Sequence, residues 1–139
     1  MKGEGAVAET NASIALILVD HGSRFQGAND MLLDVVEMVK RLSGLARVYP
    51  AHMELAEPSI RQAFEKAVGE GATAVVVHPY FLSPGRHSTT DIPRMVEEAA
   101  KEFPGIEHCV TAPLGVHDKI GEVVLERAGV PLAKAGARV

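Results

Sequence analysis

The pattern of apolar and polar positions predicts strands and helices along most of the chain. Residues 14–19 and 74–79 are apolar at nearly every position, which is typical of strands covered on both faces of a parallel sheet. Weaker runs of the same kind lie at 47–53 and 106–112. Apolar residues also recur at helical spacing after each run, in the segments 29–42, 60–68, 92–103 and 117–128. The chain therefore reads as strand and helix repeated four times.

This alternation predicts an α/β fold with short right-handed connections. We expect a single doubly wound domain over residues 12–130, with a four-stranded parallel sheet flanked by helices in a flavodoxin-like winding. The first strand should be central because it is apolar throughout. Residues 1–11 and 131–139 are expected to be flexible termini.

The segment 78–93 joins the third strand to its helix and is rich in functional groups. Ser83-Pro84-Gly85 can turn the chain sharply and display Arg86 and His87 on a loop. Asp91 is predicted to cap the following helix at its N-terminus. In the second helix, Pro58 is predicted to mark the start.

Composition limits the classes of partner. The formal net charge of -4 argues against general nucleic-acid or membrane-surface binding, which needs a basic excess. The single Cys109 cannot form an internal disulfide or a cysteine-based metal centre. Residues 1–11 lack the apolar core of a signal peptide, and no apolar run reaches the length of a membrane span. We therefore expect a cytoplasmic protein.

Loops that follow parallel strands open at one edge of the sheet, where ligands bind in open α/β folds. His21 follows the first strand and His87 the third, and each has an arginine nearby, Arg24 and Arg86. Glu54 and Glu57 follow the second strand, and His117 follows the fourth. Imidazoles, carboxylates and guanidiniums should therefore meet at one rim.

Each of these residues also has a structural interpretation. Glu57 can favour the positive end of the next helix, and Glu54 can be a solvated charge at a strand end. Arg24 and Arg86 can be ordinary surface residues. The structural interpretation is preferred for the three histidines within or at the end of strands, which are His52, His78 and His108. It is left open for His117, which lies at a helix entry. A functional role is favoured for His21 and His87.

The residue types at this rim suggest metal chemistry. The chain has no GxxxxGK[ST] or GxGxxG phosphate loop and no GxSxG elbow. Two histidines without a strong third ligand suit a divalent metal that keeps open positions and is handed on. Neighbouring arginines bind carboxylates in bidentate fashion. These features together indicate a metal brought next to a polycarboxylate ligand.

Three segments, 19–24, 54–59 and 81–93, resemble the motifs of the short CbiX-type sirohydrochlorin chelatases, which belong to the class II chelatases. The resemblance extends from about residue 14 to residue 128, and the motifs occur in the same order. It implies insertion of Co²⁺, Ni²⁺ or Fe²⁺ into sirohydrochlorin, a tetrapyrrole with carboxylate side chains. The metal would be a substrate, with no permanently bound cofactor.

The resemblance also implies roles for individual residues. His21 and His87 match the family's metal-binding histidines, with His21 also the proton acceptor, and Glu57 matches the glutamate of its E-P-[ST] motif. The segment that contacts the tetrapyrrole corresponds to Leu82, Ser83, Pro84, Gly85, Arg86 and His87. From its position beside His21, Arg24 is also predicted to bind the substrate. Short members of the family form homodimers, and we expect the same here.

Two alternatives remain open. A metal carrier or tetrapyrrole-binding module would use the same ligands without catalysis. Histidine phosphoryl transfer would use one histidine as nucleophile, but its usual Arg-His-Gly order is absent, since the order here is His21-Gly22-Ser23-Arg24. Chelatase chemistry is the favoured function.

Overall fold

The computed structural model describes residues 13–133, which form four parallel strands, four helices and one π-helical turn. The strands are β1 (Ile14–Asp20), β2 (Val48–His52), β3 (Ala74–Pro79) and β4 (Glu107–Val110). The helices are α1 (Gln26–Ser43), α2 (Ile60–Gly69), α3 (Ile92–Ala100) and α4 (Asp118–Ala128), and the π-helical turn is His87–Asp91. The predicted α/β class with a four-stranded parallel sheet is confirmed. Of the termini predicted to be flexible, 1–11 and 131–139, all but residues 131–133 lie outside the described residues.

The strand order is β2-β1-β3-β4, and every neighbouring pair is parallel. β1 lies between β2 and β3, so the apolar first strand occupies an interior position as predicted. All four strand-to-helix connections consequently open at the same edge of the sheet. No helix within residues 13–133 is long and apolar enough to cross a membrane.

Two clusters of buried apolar side chains hold the helices on the sheet. On one face, α2 and α3 pack against β1 and β3 around Phe64, which is fully buried with Ile17 and Val77. On the other face, α1 packs against β1 and β2 through Leu32 and Val36. Each buried side chain of this size contributes on the order of 1.5–3 kcal/mol.

The second face is covered unequally. In β3, Val75 and Val77 are buried beneath α2 and α3, whereas Val76 and His78, on the opposite face, are only half-buried. No residue of α4 is buried. Among residues 13–133, the face on which α1 packs is therefore covered less completely at β3 than at β1 and β2.

Two predicted helix starts are corrected. α1 begins at Gln26 rather than near Asn29, because the Asn29 side chain bonds back to Ser23, accepting from its N–H (3.0 Å) and donating to its carbonyl (2.7 Å). α2 begins after Ser59, which forms a capping box with Gln62, so Pro58 lies before the helix.

Asp91 does not cap α3, so that prediction was wrong. Its backbone is helical, and its side chain makes no capping bond. The π-helical turn His87–Asp91 precedes α3 directly, and the Ile92 N–H donates to the His87 carbonyl. Because the helical path already begins at His87, no cap is required at Asp91.

Candidate metal and tetrapyrrole site

The loop after β1 packs tightly against the loop after β2, and this contact places His21. Gly22 has a φ of 92°, and a Cβ built there would lie 1.8 Å from the Glu54 carbonyl oxygen. The Glu54 N–H also donates to the His21 carbonyl at 3.1 Å. Only glycine fits at position 22, and the contact brings His21 beside Glu54.

Of the two glutamates that follow β2, Glu54 is the one whose carboxylate contacts the imidazole of His21. Its Oε2 lies 3.4 Å from Nε2 of His21, whereas the carboxylate of Glu57 accepts from Gln62 Nε2 at 3.3 Å, beside the start of α2. The register of β1 and β2 is consistent with the contact between His21 and Glu54. Asp20 pairs with His52, so the residues just beyond these strand ends share one level of the sheet.

The loop after β3 is tied down from its far side. Buried Ser88 accepts from the Gly85 N–H at 3.0 Å, and the Thr89 hydroxyl donates to the Gly85 carbonyl at 2.7 Å. These bonds fix the turn from which His87 projects. Nδ1 of His87 lies 3.0 Å from Oδ2 of Asp91, one helical turn later. If Nδ1–H donates to this carboxylate, the lone pair of Nε2 is left to face the rim.

The structure brings the two predicted histidines together. The ring centroids of His21 and His87 are 4.9 Å apart, and the rings are inclined at 64°. A metal about 2.1 Å from a coordinating nitrogen lies about 3.2 Å from the ring centre, so adjacent ligands have ring centres about 4.5 to 5.2 Å apart. The observed separation suits one metal between the two rings. Among residues 13–133, no group of three or more His, Cys, Asp or Glu side chains is arranged to hold a metal.

The two arginines at this edge are available to an anionic ligand. Arg24 follows His21 in the β1 loop and Arg86 precedes His87 in the β3 loop, and both are exposed. Neither guanidinium makes a hydrogen bond or ion pair with any of residues 13–133. Unpaired guanidiniums near the histidines can bind carboxylates in bidentate fashion.

Each of the four rim loops also exposes one large apolar side chain. The exposed fractions are 81% for Phe25, 52% for Leu55, 66% for Leu82 and 107% for Val116. Ser83, Pro84 and Gly85 beside Leu82 are exposed as well. Four apolar side chains at one edge offer contact area to a flat apolar ligand. Neither Phe25 nor Leu55 was singled out from the sequence, because single apolar residues in loops carry no periodic signal.

The remaining histidines make contacts within the fold. His52 is 4% exposed and its Nδ1 lies 2.5 Å from Asp20 Oδ1. Burial lowers the pKa of His78, whose Nδ1 lies 2.8 Å from the Thr111 hydroxyl. His108 Nε2 lies 2.8 Å from a Glu97 carboxylate oxygen, and His117 Nδ1 accepts from the Lys119 N–H at the start of α4. These contacts agree with the structural interpretation of all four.

The sequence of the chain is similar to those of proteins named as chelatases. A family model described as CbiX matches residues 15–129. A chloroplastic sirohydrochlorin ferrochelatase of Arabidopsis thaliana is 54% identical over 112 residues, which cover 81% of this chain and 50% of that protein. A sirohydrochlorin cobaltochelatase of Methanococcus maripaludis is 32% identical, with 82% of this chain and 96% of the relative covered.

Solved structures show the same fold. The sirohydrochlorin chelatase SirB of Bacillus subtilis subspecies spizizenii, in complex with cobalt, matches with a TM-score of 0.79 at 30% identity, over 84% of this chain and 50% of that one. A CbiX protein of Marinobacter aquaeolei VT8 matches with a TM-score of 0.71 at 28% identity, over 84% and 94% of the two chains. The chain thus spans about half the length of the Arabidopsis and Bacillus relatives.

Proposed function

The chain belongs to the CbiX family, and on that premise we propose that it is a chelatase inserting Co²⁺, Ni²⁺ or Fe²⁺ into a sirohydrochlorin-type tetrapyrrole. The observation that carries the proposal is the pair of imidazoles at the rim, His21 and His87, with ring centres 4.9 Å apart. Relatives named ferrochelatase and cobaltochelatase support the reaction class. The metal is a substrate that is bound briefly and transferred.

His87 is proposed as the ligand that presents the metal. A ligating imidazole needs one nitrogen lone pair, and a carboxylate on the other nitrogen orients the ring and raises its basicity. Asp91 occupies this second position at 3.0 Å from Nδ1. With two protein ligands from histidine, the metal keeps open positions at which ring nitrogens of the tetrapyrrole can replace water.

His21 is proposed to accept protons as well as to bind metal. Insertion releases two pyrrole N–H protons for each divalent ion, and a neutral imidazole is a suitable acceptor near neutral pH. The imidazolium that forms would be stabilised by the Glu54 carboxylate, 3.4 Å from Nε2. Glu54 would then pass the proton to water, since its side chain is 59% exposed.

The rim loops are proposed to hold the macrocycle. Its face would pack on the exposed side chains of Phe25, Leu55 and Leu82, and its carboxylates would reach Arg24 and Arg86. Ser83, Pro84 and Gly85 form the turn that presents Arg86, so they would contact the tetrapyrrole through exposed backbone. Glu57 was matched to a family motif, and its contact with Gln62 favours a role at the start of α2.

The decisive experiment follows the absorption spectrum of sirohydrochlorin mixed with each metal, with and without the protein. We expect acceleration with at least one of Co²⁺, Ni²⁺ and Fe²⁺, and a loss of at least 100-fold in kcat/KM for His87→Ala. No acceleration with any metal, in a preparation that binds the tetrapyrrole, would instead identify a carrier or binding module.

Two matched variants distinguish the kinetic roles of Glu54 and Glu57. Glu54→Gln removes the carboxylate beside His21, so kcat should fall at least tenfold and its pH dependence should change. Glu57→Gln lies three residues away and keeps the hydrogen-bonding shape, so its kinetics should remain within about twofold. The assignment of Glu54 is wrong if the two variants behave alike.

We also propose a homodimer in the cytoplasm. Light scattering at working concentration tests the dimer, and a monomer would refute it. The plant relative is named chloroplastic, so organelle fractionation with an antibody to this chain distinguishes the two locations.

A further inference from the structure

His52 is a buried histidine that the proposed mechanism does not use. It ends β2, is 4% exposed, and its Nδ1 lies at hydrogen-bonding distance from Oδ1 of Asp20. An ionised carboxylate only accepts hydrogen bonds, so the N–H at Nδ1 of His52 donates to Asp20. Asp20 pairs with His52 across the two parallel strands and directly precedes His21. The pair is therefore one residue away from a proposed metal ligand.

His52 contacts the residues on both sides of His21. On one side, its ring bonds to the carboxylate of Asp20. On the other side, a Cβ built at Gly22 would lie 3.2 Å from the Cβ of His52, so the backbone of Gly22 packs closely against this side chain. The backbone direction of His21 is therefore constrained through both of its neighbours.

His52 also anchors the loop that carries Glu54. The His52 N–H donates to the Pro58 carbonyl at 2.8 Å, which brings the end of this loop back to the strand. Two residues after His52, the Glu54 N–H donates to the His21 carbonyl at 3.1 Å, and the Glu54 carboxylate lies 3.4 Å from Nε2 of the same histidine. His52 thus lies where the loops after β1 and β2 are joined.

A second buried side chain holds the other end of the loop after β1. Asn29 of α1 is 6% exposed, and its amide makes two hydrogen bonds to the backbone of Ser23. Ser23 directly precedes Arg24, which is proposed to bind a substrate carboxylate. The loop therefore has two separate anchors, with His52 acting on His21 and Asn29 acting on the segment that would bind the tetrapyrrole.

We propose that His52 is a positioning residue for metal insertion, acting through Asp20 to fix the direction of His21. The ring centre of His21 is then held 4.9 Å from that of His87. A displacement of about 1 Å in a reacting group can lower the rate about 100-fold, so a buried pair behind the site can affect the reaction strongly. This inference rests on the chelatase function proposed above and adds to it a residue that does not touch the substrate.

Three variants separate positioning from packing. His52→Asn keeps an N–H donor near the place of Nδ1, so the bond to Asp20 is retained. His52→Leu fills a similar volume without a donor and leaves the Asp20 carboxylate without its partner, so the urea midpoint of unfolding should fall. The double variant Asp20→Ala with His52→Leu removes both polar groups, and its urea midpoint should return most of the way to that of the natural chain.

The first readout is insertion into sirohydrochlorin of whichever metal the natural chain inserts. We expect kcat to fall at least tenfold in His52→Leu and to stay low in the double variant. KM for the tetrapyrrole should remain within about twofold, because Asn29 holds its part of the loop separately. His52→Asn should keep kcat within about threefold of the natural chain. An unchanged kcat in His52→Leu, or a double variant that recovers kcat together with its stability, would overturn the proposal.

The second readout needs neither metal nor activity. In the metal-free natural protein, ring protons of His21 and His87 should show a nuclear Overhauser effect, since the ring centres are 4.9 Å apart. We expect this signal to persist in His52→Asn and to be lost in His52→Leu and in the double variant, while all of them keep the dispersed amide spectrum of a folded chain. A signal retained in every variant refutes the positioning role. If the signal follows the expected pattern but no protein inserts metal, the chelatase function is refuted, whereas the orientation of His21 by His52 is supported.

Discussion

At the scale of single residues, the site depends on which nitrogen each imidazole presents. Asp91 is expected to hold Nδ1 of His87, so Asp91→Ala should weaken Co²⁺ binding about 10- to 100-fold. Calorimetric titration of the metal measures this. Arg94→Ala is the control, because it removes the other charge near Asp91, 4.0 Å away, and leaves the imidazole contact unchanged. Equal losses in both variants would contradict the orienting role.

Leu55 shows strain at the rim. Its φ of 70° lies in the left-handed region, which costs a non-glycine residue about 1–2 kcal/mol, and its side chain is 52% exposed. Leu55→Gly relieves the strain, so the free energy of unfolding should stay the same or rise by up to about 1 kcal/mol. KM for the tetrapyrrole should nevertheless rise several-fold, because an apolar contact is lost. Urea unfolding and steady-state kinetics test both parts, and a clear loss of stability would mean that Leu55 packs within the fold.

That His21 and His87 lie close together could be predicted from the sequence, because the parallel topology brings both loops to one edge of the sheet. The choice between Glu54 and Glu57 could not, since three residues separate them and both follow β2. It depends on the close approach of Gly22 to the Glu54 carbonyl, a contact between loops distant in sequence. Sequence motifs favoured Glu57, and local packing favours Glu54.

At the scale of elements, the π-helical turn His87–Asp91 sets the direction of His87 relative to α3. Such a turn holds one more residue than an α-helical turn, so deletion of Thr90 should restore α-helical geometry and rotate His87 by about 100° relative to α3. We expect the melting temperature to remain or rise while Co²⁺ binding and insertion are lost. Circular dichroism and the insertion assay measure the two effects, and retained activity would show that the turn is dispensable.

The order and type of the strands and helices were predicted correctly, whereas helix starts were less accurate. The spacing of apolar residues shows which side of a helix or strand is buried, and packing against the sheet determines that side. Helix starts depend on single side-chain bonds, such as Asn29 with Ser23, which a pattern over many residues does not detect. The π-helical turn depends on Ser88 and Thr89 bonding back to Gly85, and it was missed for the same reason.

At the scale of the whole molecule, His78 links pH to stability. Burial lowers its pKa below the unfolded value of about 6.5, so the unfolded chain binds more protons as the pH falls through that value. Stability is therefore complete above about pH 6.5 and decreases as the pH falls toward the lower folded pKa. His78→Gln cannot titrate and should lose less stability between pH 7.5 and 5.5. Urea unfolding at both values tests this, and equal losses in the two proteins would exclude His78 as a contributor.

Unequal covering of the sheet also sets how the backbone opens. Amide hydrogens of β1, an interior strand with packed helices on both faces, should exchange with deuterium only when the whole chain unfolds. Those of β4 and α4 should exchange through local opening, because β4 is an edge strand and α4 has no buried residue. Uptake in β4 and α4 should therefore be complete under conditions in which β1 remains protected. Mass spectrometry of deuterated peptides measures this difference, and equal protection of β4 and β1 would show that the edge of the sheet opens only with the whole fold.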